Sequence, residues 1–223
     1  IPFMEWGYVV LLATLVQSIL TSVILILIPL RFLFKGKVIS GIFSFKVIAY
    51  FIGIGFGFIL IEIYFIQQFT YFLSHPIYSI SVVLTVILLF AGLGSLAGER
   101  FINPRKWGIK KLVWFISAIM IVYILALSTV FDIFMGTSVP LKIAISLLLI
   151  GLPSFFMGMP FPFGLKWVSR ENKSFVPWAW GVNGCASVVG AVLAVIIAVN
   201  FGVDWLLGIS SALYFSVGLL GVK

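Results

Sequence analysis

The sequence predicts an all-α fold: a polytopic membrane bundle of roughly seven spanning helices. Three observations carry this expectation. Of 223 residues, 63% are hydrophobic and only 9% charged, whereas a soluble domain carries about 25% charged residues. The apolar residues fall into runs of the length, about 20 residues, that crosses about 30 Å of hydrocarbon. The basic residues gather in the short segments between those runs.

The first span is expected over about 6–34, with Glu5 and Trp6 at one boundary and Arg31, Lys35 and Lys37 at the other. Trp is at home at a membrane interface. The second span, about 47–73, opens with Gly53, Gly55 and Gly57, a small-residue face that lets another helix approach closely. Glu62 lies near its middle, and Gln67 and Gln68 follow towards its end. His75-Pro76 closes it, because the residue before a proline is pushed out of the helical region.

The third span, about 77–96, ends in Gly92, Gly94 and Gly98, the last two in GxxxG spacing. A basic segment with Arg100, Arg105, Lys106 and Lys110 leads to the fourth span, about 112–131. The fifth, about 141–168, is interrupted by MGMPFPFG at 157–164, where two prolines remove helix hydrogen bonds. Two readings are open there: a break lining a cavity, or an aromatic helix end at the inner interface ahead of Lys166 and Arg170. The sixth span, about 178–201, carries Gly190, Ala194 and Ala198 at four-residue spacing, with Asn183 near one end and Asn200 near the other. The seventh covers about 205–222. The helix-packing residues expected from these patterns are Gly53, Gly57, Gly94, Gly98, Gly190 and Ala194.

The loops after the first, third and fifth spans, together with the C-terminus, hold every one of the 14 Lys and Arg residues except Lys142. This asymmetry places the N-terminus outside and the C-terminus inside a prokaryotic cytoplasmic membrane. The net charge of +8 is therefore a positive-inside bias and does not call for a nucleic-acid partner. One cysteine, Cys185, leaves no intrachain disulfide. No internal repeat is evident. The expected unit is a single membrane domain over 1–223. Because Ile1 is not a methionine, the chain is expected either to be the C-terminal membrane part of a longer polypeptide or to have lost a leader.

Chemistry is sparse. No phosphate-binding glycine loop follows a strand, no HExxH motif occurs, and no metal-ligand cluster is spaced for coordination, so no cofactor and no metal are expected. His75 is the single histidine. As a haem ligand it would need a partner such as Met157 or Met159, which the count places on the other face of the membrane. An enzymatic role for this chain alone has no motif behind it. The exception is Glu62. A carboxylate at membrane depth costs about 2.5–3.5 kcal/mol on insertion scales and normally faces a partner or a cavity. It fits a structural hydrogen bond, an ion, proton or amine site, or an ion pair with another chain. The candidate binding residues are Glu62, Gln67, Tyr64, Asn183 and His75. A carrier or binding domain for a small cationic or polar metabolite is one expectation, and an anchor or scaffold subunit of a larger complex is the other.

Five segments carry a resemblance: MEWGYVVLLATLVQSIL at 4–20, GFGFILIEIYFIQQFTYFLSHPIYSISVVL at 55–84, LLFAGLGSLAGER at 88–100, MGMPFPFGL at 157–165 and PWAWGVNGCASVVGAVLAV at 177–195. Together they resemble the membrane part of fused transporter-like/spermidine synthase proteins of bacteria and archaea. The resemblance implies an aminopropyltransferase-like soluble domain upstream; other membrane subunits and the lipid bilayer are the further partners expected. The S-adenosyl-binding glycine motif and acidic catalytic residues of that domain are absent here, so no catalytic residue carries over. The family pattern often has Gln-Arg or Gln-Lys where this chain has Gln67-Gln68, which removes a helix-end charge.

Overall fold

The computed structural model describes residues 2–33, 41–101 and 108–221. The segments with Lys35, Lys37, Arg105 and Lys106, and the side chains of Glu5, Arg31 and Arg100, lie outside the described residues. Among the described residues eight α-helices follow in order: α1 Pro2–Leu33, α2 Gly41–Leu73, α3 Pro76–Phe101, α4 Ile109–Phe134, α5 Val139–Met157, α6 Pro160–Glu171, α7 Val176–Phe201 and α8 Asp204–Leu219. A single tight helical turn, Lys173–Phe175, precedes α7. No strand occurs among the described residues. Six helical stretches are long and apolar enough to cross a membrane, with α5 and α6 counted as one, and α8 is a shorter apolar helix.

The helices are apolar because hydrocarbon offers no hydrogen bonds, so each backbone amide must be satisfied within its own segment. Turn chemistry sets their ends. Ser74 adopts a left-handed conformation with φ 59°, and its amide bonds the Thr70 carbonyl at 3.1 Å. Pro76 then opens α3, where its missing N–H costs nothing. The Ser79 hydroxyl lies 3.1 Å from the Phe69 carbonyl and 2.8 Å from that of His75, stitching the turn across both helices.

The interruption at 157–164 is a joint between two helices. Gly158 and Met159 both keep right-handed helical angles between α5 and α6. At 1.5 Å per residue the 19 residues of α5 reach about 28 Å, so the joint falls at a helix end. The Tyr50 hydroxyl donates to the Pro160 carbonyl at 2.7 Å and anchors the joint on α2.

Around α2 the bundle is assembled. It packs on α7, α8, α3, α5 and α6, while α4 pairs with α8 and α3 with α5. Aromatic rings fill the contact between α2 and α4: Phe69 meets Phe131 edge-on at 5.1 Å, and Phe72 stacks on Phe131 at 4.5 Å. Offset and edge-to-face ring pairs add to what area burial provides. Helix α1 packs mainly on α7 and remains largely exposed.

Small residues sit where helices approach most closely. A Cβ on Gly94 would overlap the Phe155 carbonyl, and one on Gly158 would overlap that of Ala91, so α3 and α5 touch backbone to backbone. Gly53 lies against Val217 and Gly57 against Tyr214, both on α8. Gly98 faces Met159, Gly190 faces Ile59 and Phe56 of α2, and Ala194 is fully buried.

The helix ends fall into two groups. Tyr8, Phe72, His75, Lys142, Asn200 and Asp204 mark one, linked by the pairs Tyr8–Asn200, Phe72–Lys142 and Gln68–Asp204. Tyr50, Pro160 and Trp167 mark the other.

Candidate functional site

Most polar side chains inside the bundle bond a backbone carbonyl of another helix. Asn183 donates to the Phe51 carbonyl at 3.1 Å, Ser187 to that of Gly55 at 3.3 Å and Ser210 to that of Gly57 at 2.9 Å. Tyr123 donates to the Leu149 carbonyl at 2.6 Å. Ser117 and Ser211 form a reciprocal pair: their hydroxyls are 2.8 Å apart, and each is within 3.0 Å of the other's carbonyl. Such bonds hold membrane helices together at about 0.6 kcal/mol each on average.

Glu62 is different. It is half-buried on α2 and makes no hydrogen bond or ion pair among the described residues. On the helical wheel it shares a stripe with Gly55 and Ile59, which meet Asn183 and Gly190 of α7. Its other flank continues into Phe65 and Phe69, which meet Tyr123 and Phe131 of α4. The carboxylate therefore lies between the α7-facing and α4-facing sides of α2.

The structure disperses the other candidate residues. Asn183 donates to the Phe51 carbonyl, with its amide against Gly55, seven residues before Glu62 and so about 10 Å away along α2. Gln67 is half-buried and about 140° around the helix from Glu62. Tyr64 is buried on nearly the opposite side, where its hydroxyl faces the Asp204 carboxylate and the Gln68 amide. Gln68 Nε2 lies 3.5 Å from Asp204 Oδ1. His75 is exposed, with its ring edge-on to Tyr78 at 5.7 Å.

Two features escaped the sequence reading. Asp204 joins Tyr64 and Gln68 in a polar cluster at the ends of α2 and α8; its place in the first turn of α8 was the available signal. Lys142 is 7% exposed and caps α2, its ammonium 3.1 Å from the Phe72 carbonyl and 5.3 Å from the centre of the Phe72 ring. Met135 Sδ stands 3.8 Å from the same nitrogen. A cation there answers the partial negative charge of a helix C-terminus. Its isolation on a face poor in basic residues was the only hint.

The described residues hold no cluster of three His, Cys, Asp or Glu side chains able to bind a metal. Fold and composition define the class: a polytopic α-helical membrane domain. No family model, curated protein or solved structure matches the chain.

Proposed function

We propose that the chain is the membrane domain of a protein resembling the fused transporter-like/spermidine synthase family, and that it binds or carries a small cationic or polar metabolite at Glu62. The observation that supports this is the unpartnered carboxylate. Other polar groups inside the bundle, such as Asn183, Ser187 and Ser210, are tied to backbone carbonyls, whereas Glu62 has no partner among the described residues. An acidic group held half-buried without a protein cation is matched by a mobile one, an amine or a proton. The Tyr64–Gln68–Asp204 cluster adds a second acidic position at the helix ends on the proposed outer side. The positive-inside count supports an outside N-terminus in a prokaryotic cytoplasmic membrane.

A scaffold or anchor role in a larger complex is the second reading, favoured by the exposure of α1. Thermal unfolding of the detergent-purified protein with a panel of polyamines and simpler amines separates the two. A ligand at 100 times its Kd should add about 2.7 kcal/mol. Carrier or binding function requires stabilisation in the wild type and its loss in Glu62→Gln. Equal curves with and without amines, in both proteins, would move the conclusion to the scaffold.

A further inference from the structure

One face of α1 is a shallow open groove lined by residues that include Ala13, Gln17, Leu20 and Ile24, all of α1. These four recur at spacings of four, three and four, the alternation that keeps residues on one face of a helix–helix seam. Bilayer lipid covers the apolar members of such a face without cost. It cannot satisfy Gln17. Gln17 is exposed and makes no hydrogen bond among the described residues, unlike Thr14 and Ser18, whose hydroxyls bond the Val10 and Thr14 carbonyls of their own helix.

Depth makes this costly. In the apolar run 6–30, ahead of Arg31, Gln17 lies eleven residues from one end and thirteen from the other, about 17 and 20 Å from them at 1.5 Å per residue. That is close to the centre of a hydrocarbon layer about 30 Å thick. An amide there gains by finding a hydrogen-bonding partner on another helix.

We infer that α1 pairs with α1 of a second copy, forming a parallel dimer with Gln17 at its axis. All copies insert in one orientation, so a two-fold axis along the membrane normal brings Gln17 to the same depth on both chains. A primary amide is self-complementary: each carbonyl accepts from the other chain's NH2. A two-fold interface requires such self-complementarity. One polar residue within an apolar seam also fixes register and oligomeric state. The opposite face of α1 is already used by α7, through Ile26 beside Gly181 and Tyr8 beside Asn200, so pairing leaves the bundle intact.

The test uses the full chain in lipid nanodiscs, with Cys185 replaced by Ala and single cysteines placed along α1. Oxidative cross-linking should peak at Ala13→Cys, Leu20→Cys and Ile24→Cys and be weak at Leu11→Cys, Leu15→Cys and Ser22→Cys. Single-molecule photobleaching should find two copies per complex. Gln17→Leu should lower the dimerisation constant roughly tenfold, with an unchanged unfolding temperature showing that the bundle still folds. Gln17→Asn should retain most of the association. A monomeric wild type, with α1 covered by lipid or by a different chain, would overturn the inference. So would cross-linking without this periodicity, or a Gln17→Leu dimer as tight as the wild type.

Discussion

The Lys142 ammonium donates to the Phe72 carbonyl across 3.1 Å, joining the first turn of α5 to the last residues of α2. A buried cation here is held by a helix end and an aromatic face, with no carboxylate among its described partners. This is a structural use of charge.

Lys142→Met should therefore destabilise the protein by about 1–3 kcal/mol, because it strands a buried carbonyl and removes the charge facing the end of α2. Lys111→Met, on an exposed side chain, should stay within about 0.5 kcal/mol. Chemical unfolding in detergent compares the two. Equal effects would show that the Phe72 contact contributes nothing.

The backbone contact between α3 and α5 leaves no room for a side chain. Gly94→Leu and Gly158→Ala should each cost about 1–3 kcal/mol or more, since a carbonyl stands where the new atom must go. Gly184→Ala has open space around it and should be neutral or stabilising by about 0.5–1 kcal/mol through helix propensity. Unfolding temperatures of the three variants check this ordering. A tolerated Gly94→Leu would mean that the two helices can part without loss.

Ser117 and Ser211 satisfy one another between α4 and α8. Either single change to Ala leaves groups unpaired, whereas the double variant removes both hydroxyls. A double-mutant cycle should give a coupling of about 0.5–2 kcal/mol. Strictly additive single effects would contradict a shared network.

Glu62 offers the opposite expectation. With no described partner to strand, Glu62→Leu should keep or raise stability in the absence of ligand, by up to the roughly 2.5–3.5 kcal/mol that a membrane carboxylate costs. The same variant should lose any stabilisation by amines. A large loss of stability without ligand would reveal a structural bond and remove the case for a binding site.

Much of the fold was legible in the chain. Apolar runs, one of them closed by Ser-His-Pro at 74–76, marked the spans, because lipid demands continuous apolar helix and turns concentrate at its edges. The glycines of α2 and α3 were recognisable as small surfaces, although their partners were not.

The site was far less legible, for a physical reason. A helix that is apolar all round carries little of the amphipathic period that tells which face turns inward, so spacing along α2 could not assign Glu62, Tyr64 and Gln67 to common or separate sides. By itself, the sequence determined an all-α membrane bundle, its order of spans and the rarity of its charges, since solvent preference is written residue by residue. Only the tertiary structure decided that Asn183 serves Phe51, that Tyr64 turns to Asp204, that Lys142 caps α2 and that Glu62 has no partner among the described residues. Those outcomes depend on which helices meet, and close packing of distant segments sets that.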